Sequence, residues 1–142
     1  VKLAVVAVGK IRERDVRSVA DEYVARIRRY VRLDEVEVAK DAALARALPS
    51  GATIVALDPA GDALTSPAFA KRLEGWGRRG KGDVAFVIGG AEGIPETLVR
   101  SADARLSLSS LTLPHRLARV VLFEQIYRAF TILRGEPYAR EN

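Results

Sequence analysis

The sequence has no cysteine and a single histidine. The first absence removes disulfides and thiolate metal sites; the second leaves too few imidazoles for a histidine-based one. No apolar run approaches the ~20 residues that a membrane span needs. The first apolar stretch is short and runs at once into charge, so it does not read as a signal peptide. A cytoplasmic protein without a bound metal is expected. With 142 residues, 49% of them apolar, a real core is expected and disorder is not. No internal repeat, low-complexity tract or linker breaks the chain, so residues 1–142 are expected to form one domain.

The formal charge is +5, and arginine outnumbers lysine. A basic balance favours nucleic acid or another polyanion as partner. A solvated basic surface gives the same charge, and net charge alone does not separate the two.

What is present concentrates in the carboxyl-terminal third. Residues 83–88 are mostly apolar and β-branched, as a strand covered on both faces should be. Gly89-Gly90-Ala91-Glu92-Gly93 follows. Its spacing is neither G-x-G-x-x-G nor a P-loop. It suits close approach of backbone to a ligand, or merely a tight strand-to-helix connection. Residues 104–109 repeat the design, with a short strand, a polar loop and then a helix over 115–134 stopped by Gly135.

Upstream, residues 2–9, 33–38 and 52–57 read as strands. Asp15 is the expected cap of a helix with Val16, Val19, Ala20, Tyr23, Val24 and Ile27 on one face. Arg26, Arg28, Arg29 and Arg32 crowd its end, where cations suit the helix dipole or face RNA. Residues 41–48 read as a short helix and 58–62 as a turn. Ser66-Pro67 reads as the cap of a helix running to about Trp76. Alternating strands and helices predict an α/β fold, a mostly parallel sheet with helices on both faces. Ligands then bind beyond the carboxyl ends of the strands.

The last helix carries two apolar stripes. One is Ala118, Leu122, Ile126, Ala129 and Leu133; the other is Val120, Phe123, Tyr127 and Phe130. Apolar faces on most sides imply burial from two directions, for which a homodimer is the simplest explanation and burial within one chain the alternative.

The glycine loop, the run Ser107-Leu108-Ser109-Ser110-Leu111-Thr112-Leu113-Pro114-His115, Tyr127-Arg128-Ala129-Phe130 and the ending Pro137-Tyr138-Ala139-Arg140-Glu141 together resemble a known family. It is that of the bacterial 23S ribosomal RNA pseudouridine-N3 methyltransferases, of the SPOUT class. The likeness extends to residues 2–9 and Leu57-Asp58 and so spans the chain. It implies a SPOUT methyltransferase fold with a deep carboxyl-terminal trefoil knot, which pattern alone argues against because true knots are rare. It also implies a homodimer, S-adenosyl-L-methionine as cofactor, and large-subunit ribosomal RNA, in the assembled ribosome, as substrate. By matching motif positions, the cofactor pocket falls on Leu57, Gly89, Gly90, Gly93, Leu108, Ser109, Ser110, Leu111, Thr112, Leu113 and Pro114. His115, Tyr138 and Arg140 match positions implicated in RNA binding or catalysis. Two departures stand out: Ala91 replaces a proline common in relatives, and Ala139 replaces a histidine often found between the tail tyrosine and arginine.

Methyl transfer from a sulfonium needs orientation and electrostatics rather than a metal. Arg140 is the candidate to stabilise an imidate, and His115 the candidate base or phosphate contact. Apart from the resemblance, His115 reads as a helix-start residue hydrogen-bonded to the chain. Two other classes compete: a non-catalytic RNA-binding module on the same fold, and a nucleotide-binding enzyme. The latter would want a glycine loop after the first strand, where Gly9 stands alone.

Overall fold

The structure, a computed structural model, describes residues 2–138. Five strands alternate with four helices: Lys2–Val8 (β1), Arg14–Ile27 (α1), Arg32–Val38 (β2), Thr53–Ala63 (β3), Ser66–Trp76 (α2), Val84–Ile88 (β4), Glu96–Ser101 (α3), Ala104–Ser107 (β5) and His115–Leu133 (α4). The strands form one sheet in the order β2-β1-β4-β3-β5, every pair parallel.

The two-residue period of β1 divides the core. Leu3, Val5 and Ala7 face the larger cluster, which holds Val24 and Ile27 of α1, Phe69 and Leu73 of α2, and Leu122, Phe123 and Ile126 of α4. Val6 and Val8 face the opposite cluster, with Leu44 and with Leu98 of α3. Helices therefore cover both faces, as alternation predicts. β4 lies between β1 and β3 and is buried along its whole length, which explains its unbroken apolar run. Phe86 of β4 meets Phe69 and Trp76 with ring centroids 6.2 and 6.1 Å away. Burying one such side chain contributes about 1.5–3 kcal/mol.

Local details depart from the sequence expectations. Helix α1 begins at Arg14 with Glu13 in the cap position, so Asp15 lies inside the first turn, where its charge suits the dipole without capping. Thr65, not Ser66, caps α2 by accepting from the Ala68 N–H at 3.2 Å; Ser66 instead donates to Gln125 in α4 at 2.6 Å. The expected helix over 41–48 is two 3-10 turns, Asp41–Ala43 and Ala45–Ala47. The expected turn at 58–62 is a bulge inside β3, which leaves β5 after Leu57 and rejoins it at Asp62. β5 stops at Ser107, and α3 was not foreseen.

The two stripes of α4 have a cover within the chain. α4 packs between α1 and α2 on one face of the sheet. Leu122, Phe123, Ile126 and Ala129 are fully buried, so both stripes contribute to the core. Phe130 is half-buried and stacks on Tyr30 at 5.2 Å. No helix among the described residues is long and apolar enough to cross a membrane.

Candidate active site

The strands place their following loops side by side at the carboxyl edge of the sheet. β4 runs into Gly89-Gly90, and the chain turns back through a Gly93 N–H to Gly90 carbonyl bond of 3.0 Å. A Cβ on Gly89 would lie 2.7 Å from the Ile94 nitrogen and 3.0 Å from the Gly93 carbonyl carbon, so the loop closes on its own backbone there. A Cβ on Gly90 would lie 2.8 Å from Cγ1 of Val8. The Gly90 N–H donates to Oδ1 of buried Asp41 at 2.7 Å, pinning the loop to the chain beyond β2. Glycine is needed at both positions for packing within the chain as well as for lining a site.

The loop after β5 is shaped by its own serines. Ser107 Oγ donates to the Ser109 carbonyl at 3.2 Å, and Ser109 Oγ accepts from the Leu111 N–H at 2.9 Å. Between this loop, the glycine loop and the end of β3 lies a cavity of about 450 Å³. Leu57, Gly89, Gly90, Gly93, residues 108–113 and His115 all line it. Pro114 is the cap residue of α4, between two lining residues, and is not itself part of the wall.

The wall has two chemical halves. Ile88, Ile94, Val99, Leu106 and Leu108 make an apolar bed, suited to a flat ring system. Ser109, Ser110, Thr112, Asp58 and His115 supply hydroxyls, a carboxylate and an imidazole. The size falls within the ~300–1,000 Å³ of small-molecule sites, and an apolar bed with a few convergent polar groups fits an amphipathic nucleoside-like cofactor. Asp58, read from sequence as part of a turn, accepts from the Ala60 N–H at 2.9 Å and lies 3.8 Å from Arg105. Its position directly after the apolar run of β3 was the available signal. Among the described residues no group of three or more His, Asp or Glu is placed to hold a metal ion.

His115 opens α4 at the cavity rim, where it is exposed. One turn later comes Arg119, only 2% exposed. Its guanidinium donates to Glu35 at 2.9 Å, to Glu37, and to the Gly9 carbonyl at 2.9 Å, while its Nε is buried without a partner. Arg17 of α1 donates to the same Glu35 through two bonds of 2.6 and 3.0 Å. Burial pushes the Glu35 carboxyl up, but hydrogen bonds from Arg17 and Arg119 outweigh it and hold the group below its ordinary range. The sequence expectations missed this network, because an arginine on an apolar helix carries no mark of burial.

Tyr138 lies away from the cavity of its own chain. Its hydroxyl donates to Glu124 at 2.8 Å and is 3.4 Å from the Tyr23 hydroxyl. Its ring meets Tyr127 edge-on at 4.7 Å, with the Arg128 guanidinium 5.1 Å from its centroid. Burial, then the bonds to Tyr23 and Glu124, push its pKa up, so it remains a proton donor. Glu124 lies six residues beyond Ala118, the last α4 residue in the cavity wall, or about 9 Å along the helix. Ala139 and Arg140 lie outside the described residues.

Known proteins share both sequence and fold with this chain. A family model described as "Predicted SPOUT methyltransferase" matches residues 1–139. A protein of Sorangium cellulosum named ribosomal RNA large subunit methyltransferase H is 53% identical, covering 97% of this chain and 99% of that protein. A protein of the same name from Anaeromyxobacter dehalogenans strain 2CP-1 is 49% identical, covering 96% and 98%. Among solved structures, a probable methylase family protein from Haemophilus influenzae Rd KW20 superposes with a TM-score of 0.60 at 11% identity, over 96% of this chain and 69% of that one. A structure described as concerning 2-OH methylation of C/U34 on tRNA superposes with a TM-score of 0.54 at 19% identity, over 95% and 98%. With a family model spanning nearly the whole sequence and full-length relatives at half identity, the chain belongs to the SPOUT methyltransferase family.

Proposed function

We propose that this protein methylates N3 of a pseudouridine in large-subunit ribosomal RNA, with S-adenosyl-L-methionine as methyl donor. The observation that carries the reading is the cavity shared by the Gly89-Gly90 loop and the 107–114 loop, in a chain half identical to full-length relatives named for ribosomal RNA methylation. Leu57, Gly89, Gly90, Gly93 and residues 108–113 hold the cofactor, with Pro114 setting the start of α4 beside them. The apolar bed takes its base, and the hydroxyls and Asp58 take its polar groups. The bound cofactor supplies a methyl already activated on a sulfonium.

The chain's own residues prepare the acceptor. N3 of the target base is an imide nitrogen and must lose its proton. His115, exposed at the rim, takes that proton or holds a flanking phosphate. With Ala139 in the tail, no histidine stands there to share the role.

The protein acts as a homodimer, one knotted domain of residues 1–142 per subunit. Val19, Leu117 and Leu133 remain 43%, 38% and 38% exposed on α1 and α4, apolar surface that a second subunit would help to cover. Tyr138 is remote from its own cavity, and so serves the partner's: it stacks on the target base while Arg140 neutralises the forming imidate. The substrate is the assembled ribosome in the cytoplasm. Labelled cofactor offered to whole ribosomes, free large subunits and naked RNA tests this. Transfer to whole ribosomes is expected, and absence of transfer to all three would refute it.

A further inference from the structure

The connection between β1 and α1 is short, charged and fixed at three points. Its first residue, Gly9, accepts from Arg119 at 2.9 Å. Its centre, Ile11, is 6% exposed and belongs to the larger core cluster. Its last residue, Glu13, pairs with Arg116 of α4 at 2.8 Å. A loop on the protein surface has no intrinsic need of three such anchors.

The anchors leave Lys10 and Arg12 in view. Both are exposed and flank buried Ile11 in non-helical chain, so both turn away from the core. Of the neighbouring cations, Arg116 pairs with Glu13, and Arg17 and Arg119 share Glu35, while Arg14 makes only an exposed 3.6 Å contact with Asp15. Lys10 and Arg12 have no ion-pair partner among the described residues. Their loop does not line the cavity but is tied to its wall at two places. Val8, two residues before Lys10, packs against Gly90. Arg116, which holds Glu13, adjoins His115 in the cavity wall.

We propose that Lys10 and Arg12 form the fixed phosphate clamp for the RNA strand flanking the target nucleotide. The proposal rests on the reading of the cavity as an RNA-methylating site. Two unpaired cations on a pre-fixed loop bind a polyanion with little further ordering, so their Coulomb attraction is not spent on immobilising the loop. Phosphate contacts of this kind position the substrate and carry no sequence information. The source of specificity is elsewhere, at the base in the cavity.

The test compares three double variants on ribosomes lacking the modification: Lys10→Ala with Arg12→Ala, the charge-retaining Lys10→Arg with Arg12→Lys, and Lys71→Ala with Lys81→Ala. The last pair removes two exposed cations from α2 and from the chain before β4. Each phosphate contact contributes roughly 0.7–0.9 to the slope of log affinity on log salt. The alanine pair at 10 and 12 should flatten the slope of log(kcat/KM) by about 1.5. Its deficit against wild type should then shrink about tenfold between 50 and 200 mM salt. The loss should fall on KM, with affinity for S-adenosylhomocysteine kept. The charge-retaining pair and the 71/81 pair should keep the wild-type slope. An unchanged slope in the 10/12 alanine pair, or an equal loss in the charge-retaining pair, would overturn the clamp. Failure of the wild-type protein to methylate any ribosome would instead overturn the methyltransferase reading.

Discussion

Arg119 in α4 donates to the carbonyl of Gly9 at the end of β1, 2.9 Å away and 110 residues earlier in the chain. The same guanidinium reaches Glu35 and Glu37 on β2. One side chain thus joins α4, β2 and the connection after β1, one turn from His115.

Replacing Arg119 with alanine leaves Glu35 paired only with Arg17 and leaves the half-buried Gly9 carbonyl without this donor. Breaking a buried ion pair on one side costs about 3–5 kcal/mol. At roughly 3 °C per kcal/mol for a chain of this size, melting should fall by on the order of 10 °C. Arg119→Lys should recover only part, since an ammonium cannot reproduce the fork that spans three acceptors. A melting temperature within a degree or two of wild type for the alanine variant would mean that the network is not structural.

Glu35 makes the same network sensitive to acid. Its carboxyl is held below its ordinary value of 4.5 in the folded protein. A depressed pKa means that the folded state favours the ionised form. The stabilisation is therefore fully present above about pH 4.5 and is lost as pH falls through the lower folded value. Wild-type melting temperature should drop steeply below pH 4.5. Glu35→Gln should start lower at neutral pH and decline less on acidification. Parallel curves for the two proteins would contradict this.

The two glycines at the end of β4 should respond differently to alanine. At Gly89 the added Cβ meets backbone at 2.7 and 3.0 Å, which moves only if the loop opens. At Gly90 it meets the Val8 side chain at 2.8 Å and the Asp41 carboxylate at 3.3 Å. Overpacking of this kind costs about 1–3 kcal/mol. Calorimetry with S-adenosylhomocysteine in EDTA should show binding to wild type, a large loss for Gly89→Ala and a smaller one for Gly90→Ala. Equal, wild-type affinity in both would remove the glycine loop from the site.

Much of the architecture was legible in the sequence because it depends on local pattern. The apolar run of β4 marks a strand buried on both faces, and the glycine and serine runs mark the two loops that meet around the cavity. What was illegible depends on distant partners. Asp41 looks like a helix start but orients the Gly90 N–H. Residues 58–62 look like a turn, but β5 draws them into the sheet beyond a bulge. The two stripes of α4 suggest an external cover; α1, α2 and the sheet bury most of the first but only Phe123 of the second, leaving Val120, Tyr127 and Phe130 half-buried. Periodicity counts apolar faces without showing what lies against them.

Truncating the tail should separate cofactor binding from transfer. Deleting residues 137–142 removes Tyr138 from its contacts with Glu124, Tyr23 and Tyr127, on the side of α4 away from the cavity wall. S-adenosylhomocysteine affinity and sedimentation as a dimer should persist, while methyl transfer should fall by a hundredfold or more, roughly the contribution of one positioned charge-stabilising group. Arg140→Ala alone should produce most of the loss. Transfer at the wild-type rate by the truncated protein would show that the tail takes no part.

The identity of the methylated atom tests the central claim most directly. Ribosomes lacking the modification should be incubated with the protein and methyl-labelled S-adenosylmethionine, and their RNA digested to nucleosides and resolved by mass spectrometry. The label should travel with N3-methylpseudouridine from the large-subunit RNA. Label on a ribose 2′-oxygen or on another base, or none at all, would contradict the account.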